Sequence, residues 1–113
     1  MADGLQISRC PTSQQASAFV WLNIDLGQTR VGKIRIMEGH AAMTICSIQI
    51  FPEFQNQGLA RRAVMQLIEG QRRVIADLVR PTAVEFWRKL GFQQEAGQRF
   101  CYSGSKAKQE LGV

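Results

Sequence analysis

The chain has 113 residues, of which 45% are hydrophobic and 20% charged, as in an ordinary soluble domain. This length predicts one domain over residues 1–113 with a single core, and the composition argues against intrinsic disorder. The 14 Lys and Arg residues outnumber the 9 Asp and Glu residues, so the formal net charge of +5 attracts anions such as phosphates, nucleic acid or acidic lipid headgroups.

The cysteine pattern indicates the redox state of the compartment in which the protein works. Cys10, Cys46 and Cys101 are odd in number and show no CxxC or metal-type spacing, so neither a disulfide framework nor a metal site is expected. A reducing cytoplasm suits such a chain. No secretion signal is visible at the start of the sequence, and no apolar run reaches the roughly 18 residues of a membrane span.

The first 50 residues predict an antiparallel meander. Runs at 18–26, 29–37 and 43–51 are apolar and rich in β-branched residues, and turns at "GQ" and "EGHA" separate them. A shorter strand fits residues 5–9. Residues 12–18 predict at most a short helix that begins with a Thr or Ser cap.

After the meander the apolar period becomes that of a helix. Residues 56–69 place their apolar side chains on one stripe, and Gly70 ends the helix. Residues 73–79 predict a buried strand, and 81–90 a second helix that begins with a proline. The last elements form a hairpin about Gly97.

The predicted order is β-β-β-α-β-α-β-β, which describes an α/β domain with a mixed, mostly antiparallel sheet and two main helices. Residues 104–113 are expected to be a loose tail. The sequence contains no repeat, linker or low-complexity segment.

The turn at residues 55–58 lies between a buried strand and the start of a helix. Free backbone N–H groups and the positive end of the helix dipole meet there, which makes an anion site. Gly58 allows a ligand to approach closely, and Arg61 and Arg62 add positive charge. The turn suits a pyrophosphate, although a plain connection is the alternative.

Two segments of the chain carry recognisable motifs. In the first, Ile50, Pro52, Gln55, Gly58 and Ala60 fit the pattern V-x-P-x-x-[QR]-x-x-G-x-[GA], and the second, "PTAVEFWRKLGF", is similar to A-x-x-F-Y-x-x-x-G-F. In this order and at this separation the two segments resemble the signatures of the GNAT superfamily of N-acetyltransferases. The resemblance implies an acetyl-CoA-dependent enzyme that moves an acetyl group to a primary amine, with no metal.

The resemblance also implies where coenzyme A binds. Family members splay the strand equivalent to 43–51 away from the one equivalent to 73–79, and the pantetheine arm lies in the gap. Ile48, Gln49 and Ile50 would then present main-chain groups to the arm and to the thioester carbonyl. The remaining implied coenzyme A-binding residues are Gln55, Asn56, Gln57, Gly58, Leu59, Ala60 and Arg61.

The chain departs from the family pattern at its catalytic positions. Trp87 stands where many members have a tyrosine that is thought to protonate the leaving sulfur, and Ile75 where one branch has a glutamate base. Thr44 lies near the glutamate position of another branch, and Arg80 stands where an asparagine is common. No motif-matched acid or base remains.

Two weaker catalytic candidates take their place. Asp77 shares a strand face with Ile75 by period-two spacing, with a solvated strand-end carboxylate as the alternative. Tyr102 falls where some members line the acceptor site, with a half-buried strand aromatic as the alternative. We expect Tyr102→Phe to lower turnover more than Asp77→Asn. Cys46 is interpreted as a small core residue, since nothing nearby in sequence lowers its pKa.

Two other functions remain open. A GNAT-fold protein could bind coenzyme A without turnover, because its acid and base are missing. A small basic nucleic-acid-binding domain is suggested by the pI of 9.6 and by the pairs Arg61-Arg62 and Arg72-Arg73. The sequence interleaves no exposed aromatics with those charges, which weakens that reading.

The short segment between the first two strands predicts that a partner completes the acceptor side of the site. Only the 8 residues 11–18 separate the first two strands, enough for two helical turns at roughly 1.5 Å per residue, whereas GNAT proteins usually build one wall of the acceptor cleft from two helices here. Apolar sheet surface around Phe19 and Trp21 would then mark a homodimer or partner interface. The positive charge argues against polycationic acceptors and fits a neutral or anionic amine.

Overall fold

The computed structural model describes residues 4–10, 19–39, 41–71 and 73–103. They form seven strands and two α-helices: β1 (Leu5–Arg9), β2 (Phe19–Leu26), β3 (Thr29–Glu38), β4 (Met43–Ile50), α1 (Leu59–Ile68), β5 (Arg73–Ala76), α2 (Val84–Lys89), β6 (Gln93–Ala96) and β7 (Arg99–Ser103). Residues 12–18 and 104–113, for which a short helix and a tail were predicted, lie outside this part of the chain. No helix within it is long and apolar enough to cross a membrane.

The strands form one sheet in the order β1-β2-β3-β4-β5-β7-β6. Every neighbouring pair is antiparallel except β4 and β5, so the predicted mixed, mostly antiparallel α/β fold is confirmed. The short strand suggested for residues 5–9 is present as β1, so four strands precede α1 rather than the three of the predicted order. The reason is that β1 pairs with β2 along its whole length and buries Leu5 in the core.

Both helices cover the same face of the sheet, which we call the helical face. Helix α1 buries Leu59, Ala63 and Val64 there, and its Gln66 side chain donates a hydrogen bond to the Leu5 carbonyl at 2.9 Å. Helix α2 contributes the buried Trp87. A single apolar cluster connects these residues with the inward side chains of the strands, and burying it provides the main driving force for folding.

The opposite face, which we call the open face, has no helix over it among the described residues. Register places the side chains of Trp21 opposite Arg35, Asn23 opposite Lys33 and Phe19 opposite Met37; the members of β4 that share this face are Ser47 and Gln49. The two faces of one sheet therefore differ in character, one apolar and the other basic with aromatic side chains.

Strands β4 and β5 separate soon after they meet. Their parallel pairing joins Met43–Ile45 to Val74–Ala76, and the last contact is the Asp77 N–H to the Ile45 carbonyl at 3.2 Å. Leu78 then adopts a left-handed backbone with φ of 54°, which turns the chain away, so the strand predicted for 73–79 ends at Ala76. The predicted splay is thus confirmed.

A β-bulge lies where the gap between the two strands opens. Arg35 pairs with Ser47 and Ile36 with Ile45, so Cys46 is an extra residue of β4 that has no pairing partner in β3. Bulges bend a strand and increase its local twist. The bend coincides with the end of the β4–β5 pairing.

Candidate functional site

The turn from β4 into α1 is fixed by backbone conformation and one side-chain contact. Gln55 Nε2 donates to the Ile50 carbonyl at 2.8 Å, which ties the turn to the end of the strand. Asn56 and Gly58 are both left-handed, with φ of 66° and 76°. A Cβ at Gly58 would meet no atom within 4 Å, so glycine is favoured there by conformation, and the space beside it is open.

The N-terminus of α1 points its donors into this open space. The first intrahelical bond runs from the Arg62 N–H to the Gly58 carbonyl at 3.1 Å, so the N–H groups of Leu59, Ala60 and Arg61 have no partner within the helix. The Leu59 side chain is buried in the core, which leaves only its backbone for a ligand. Together with the exposed Arg61 these N–H groups form an anion site at the positive end of the helix dipole.

One wall of the gap is the second half of β4. Beyond Ile45 this strand hydrogen-bonds to β3 alone, as far as the described residues go. In a strand, successive backbone groups alternate between the two neighbours. The Phe51 N–H donates to the Val31 carbonyl of β3, so by this alternation Gln49 also directs its backbone groups to β3, whereas those of Ile48 and Ile50 face the gap.

Three polar groups surround the point where the gap opens. Burial raises the pKa of the Cys46 thiol, while the Arg35 guanidinium lowers it and the Asp77 carboxylate raises it further. Both charges therefore lie close enough to act on the same sulfur. The Asp77 Oδ1 accepts the Leu78 N–H at 3.0 Å, which orients the carboxylate. A thiol with a raised pKa is protonated near neutral pH and is a poor nucleophile.

The structure does not bring Tyr102 and Asp77 together. Tyr102 pairs with Val74 in the sheet and lies on the helical face, where its ring is 5.5 Å from that of Phe92 and directly against Gly91. Asp77 lies three residues beyond Val74, about 10 Å further along the strand, at the mouth of the gap. On this geometry we propose Asp77, rather than Tyr102, as the first catalytic candidate.

Trp87 is a core residue, as the apolar period of its helix predicts. Its ring is 5.1 Å from that of Phe86 and 4.9 Å from that of Phe92, both edge to face, and the residue is 8% exposed. The indole N–H donates hydrogen bonds but does not lose its proton near neutral pH, so Trp87 does not replace the family tyrosine as an acid.

The sequence reasoning missed a group of cations and aromatics on the open face. Arg35 Cζ lies 4.7 Å from the Phe19 ring centroid and 5.8 Å from that of Trp21, and Lys33 Nζ lies 5.0 Å from the Trp21 centroid. The expectation that aromatics are absent concerned the pairs Arg61-Arg62 and Arg72-Arg73, and it did not consider the basic residues of β3. Period-two spacing in both strands, combined with the register of the turn at 27–28, carried this signal.

Comparison with known proteins identifies the family. Residues 4–92 match the Acetyltransferase (GNAT) family. The fold is similar to a GNAT family acetyltransferase from Elizabethkingia anophelis with acetyl-CoA bound, at 11% identity and a TM-score of 0.69, covering 90% of this chain and 99% of that one. It is also similar to the KacTA–DNA complex, at 13% identity and a TM-score of 0.71, covering 96% and 98%.

A third similar structure is the ribosomal-protein-S18-alanine N-acetyltransferase from Escherichia coli, at 14% identity and a TM-score of 0.69, covering 88% of this chain and 93% of that one. No curated protein matches the sequence. At these identities the structural likeness concerns the fold, whereas the family match extends over most of the chain. The chain therefore belongs to the GNAT family of acetyltransferases.

Proposed function

We propose that this protein transfers an acetyl group from acetyl-CoA to a primary amine. The observation that carries the proposal is the arrangement at the end of β4, where an unpaired strand edge leads directly into the anion site of α1. A cosubstrate with an amide-bearing arm and a pyrophosphate matches both parts. The fold neighbour with acetyl-CoA bound supports the choice of cosubstrate.

The residues at this end of the sheet suit coenzyme A. In our proposal the backbone of Ile48 and the Ile50 N–H bind the pantetheine arm, with Gln49 between them paired to β3, and the N–H groups of residues 56–61 bind the pyrophosphate. Gln55 acts indirectly by holding the turn against the Ile50 carbonyl. The open space beside Gly58 admits a phosphate group. When bound, acetyl-CoA supplies the activated acetyl group.

The chain's own groups then assist the transfer. A primary ammonium has a pKa near 10.4 and must lose a proton before its nitrogen attacks, and Asp77 takes up that proton directly or through a water molecule. A backbone N–H near Ile50 stabilises the negative charge that develops on the acetyl oxygen. The C–N bond forms, the C–S bond breaks, and the thiolate, with a reference pKa of about 8.5, leaves as the anion or is protonated by water.

We further propose that a homodimer completes the acceptor side. Phe19 and Met37 are paired across β2 and β3 and are 37% and 39% exposed, so they offer a small apolar contact at the end of the open face. Light scattering at rising micromolar concentration tests this, because a dimer mass should appear, and a constant monomer mass contradicts it. The three half-buried cysteines suit a reducing compartment such as the cytoplasm.

Titration with acetyl-CoA tests the proposed function. Ligand that binds only the folded state raises the free energy of unfolding by RT ln(1 + [L]/Kd), about 2.7 kcal/mol at 100 times Kd, and the melting temperature rises with it. No shift and no heat of binding at millimolar acetyl-CoA would contradict the proposal. Release of free thiol with a panel of amines then distinguishes an enzyme from a GNAT-fold protein that binds coenzyme A without turnover.

A further inference from the structure

Arg35 is an incompletely satisfied cation on the open face. Its side chain is half-buried, and its buried Nε–H donates no hydrogen bond. The guanidinium lies over the rings of Phe19 and Trp21, and it makes no ion pair with any described carboxylate. A buried N–H without an acceptor destabilises the fold, so such a group in a native protein needs an explanation.

Lys33 lies on the same face, two residues from Arg35. Its ammonium is over the Trp21 ring and forms no ion pair within the described ranges. The nearby carboxylate of Asp25 is occupied, because Arg30 Nε binds it at 2.6 Å. A hollow of about 340 Å³ adjoins Lys33, but neither Arg35 nor Asp77 lines it, so it is not itself the proposed acceptor site. The lining residues are Cys10, Trp21, Asn23, Arg30, Gly32, Lys33 and Phe51.

The position of Arg35 relates it to the reaction centre. It pairs with Ser47, next to the bulge at Cys46, and its charge acts on the Cys46 thiol together with that of Asp77. Strands β3 and β5 are two strand spacings apart, about 10 Å between backbones. A small molecule that enters from the open face thus meets a carboxylate at the gap and a guanidinium beside it.

We propose that the acceptor is a small amine with an anionic group, a carboxylate or a phosphate, and that Arg35 binds this group. The inference rests on the proposed function, whose reacting amine is placed beside Asp77. The opposite charges of Asp77 and Arg35 orient a molecule that carries an ammonium at one end and an anion at the other. A guanidinium binds carboxylates and phosphates through two parallel hydrogen bonds, and Lys33 adds charge at close range.

The recessed position of Arg35 favours a small molecule over nucleic acid. Proteins that bind nucleic acid without sequence preference use a row of cations along the phosphate backbone. Here the Nε atom is buried, and two aromatic rings lie against the guanidinium. One anionic group can reach such a site more easily than a polymer.

Matched amine pairs test the inference. β-Alanine is compared with propylamine, and phosphoethanolamine with ethanolamine, both by calorimetry on the protein saturated with coenzyme A and by thiol release from acetyl-CoA. We expect the anionic member of each pair to bind about 10- to 100-fold more tightly, the range for hydrogen bonds to charged groups. Arg35→Gln should bring that ratio close to one through KM rather than kcat. Arg99→Gln, which removes an exposed arginine on β7, should leave the ratio intact.

The outcomes separate the two proposals. Without a coenzyme A melting shift in the wild type, the proposed function fails and this inference fails with it. With a normal shift, equal binding within each pair, or no saturable binding of either anionic amine at millimolar concentration, overturns the inference alone. Salt-sensitive binding of a DNA duplex that Arg35→Gln abolishes, without binding of anionic amines, would also overturn it.

The folding of the variant is checked independently. Arg35→Gln should retain the coenzyme A shift, since Arg35 lies outside the turn at 55–58. Should the glutamine variant not fold, Arg35→Lys keeps the charge and loses the planar fork, so we expect it to keep only part of the preference for the anionic amines. An unchanged preference in a folded lysine variant with Lys33→Met added would contradict a cationic anchor on this face.

Discussion

The end of β4 and the open face were predictable from the sequence to very different degrees. The turn at 55–58 and the start of α1 use backbone groups, and their signal is a short run of residues, including a glycine that is required for its positive φ. The open face uses side chains of β2, β3 and β4, whose proximity depends on strand register. A site built from the main chain is thus visible in a local motif, whereas one built from side chains across strands is not.

The two regions also divide the work that we propose for the enzyme. The backbone site would bind the cosubstrate that acetyltransferases share, and the open face would select the acceptor. Changes at the first should affect coenzyme A binding for every acceptor, while changes at the second should alter the choice of amine. Four variants test how far this separation holds.

The largest effect is expected at the mouth of the gap, where the two regions meet. If Asp77 takes up the amine proton, Asp77→Asn should lower kcat by about 10² to 10⁴ with any amine that the protein acetylates. Glu69→Gln removes an exposed carboxylate at the end of α1 and is the control, and Tyr102→Phe should have a much smaller effect. Near-wild-type turnover of Asp77→Asn would leave water as the base.

The second prediction compares how much apolar residues on the two faces of the sheet contribute to the free energy of unfolding. Trp87→Ala empties a buried site between two aromatic rings and should lower the free energy of unfolding by about 3–5 kcal/mol. Phe19→Ala, on the open face, should change it by less than about 1 kcal/mol. Urea denaturation measures both. Equal losses would mean that the open face carries as much of the stability as the helical face.

The third variant tests the backbone site. Gly58→Asp places a side chain and a negative charge in the open space next to the N-terminus of α1, and should remove the stabilisation by coenzyme A, about 2.7 kcal/mol at 100 times Kd. Gly70→Asp is a matched control, because Gly70 has a similar φ of 80° and equally open surroundings at the other end of the helix. A normal melting shift in Gly58→Asp would contradict the proposed pyrophosphate site.

The smallest expected effect is a change in the reactivity of the Cys46 thiol when Arg35 is replaced. Because Arg35 lowers the pKa of the Cys46 thiol, Arg35→Gln should raise that pKa further. Less thiolate is then present at any pH below the pKa, and alkylation of Cys46 by iodoacetamide should slow by about a few-fold. Mass spectrometry of the Cys46 peptide between pH 7 and 9 follows the rate, with Arg99→Gln as control. An unchanged rate would contradict the electrostatic influence of Arg35 on the Cys46 thiol.

Much of the fold was predicted correctly from the sequence, and the errors in that prediction have physical causes. Strands β2, β3 and β4 and helix α1 were predicted within a few residues, because each has a clear apolar period. The end of β5 was missed, since only the left-handed Leu78 ends it, and a leucine gives no local sign of that conformation. Strand β1 was left out of the predicted order because five residues alone carry little periodicity.

The candidate site was likewise predictable only where its signal is local in the sequence. The turn from Gln55 to Gly58 was predicted from the residues, and its open surroundings agree with that prediction. The ranking of Tyr102 over Asp77 relied on position in the chain, and β7 presents Tyr102 to the helical face. Whether two strand residues share a reaction centre depends on the face and on the end of the sheet, which single strands do not reveal.

The separation of β4 from β5 has a consequence for handling the protein. The second half of β4 is an edge in the middle of the sheet, with backbone groups directed at a gap rather than at a neighbouring strand. Unpaired edges invite strands from other molecules and promote aggregation. Purification and storage with coenzyme A should therefore keep the protein in solution longer, and aggregation of the unliganded form should begin at this internal edge rather than at the short outer strands β1 and β6.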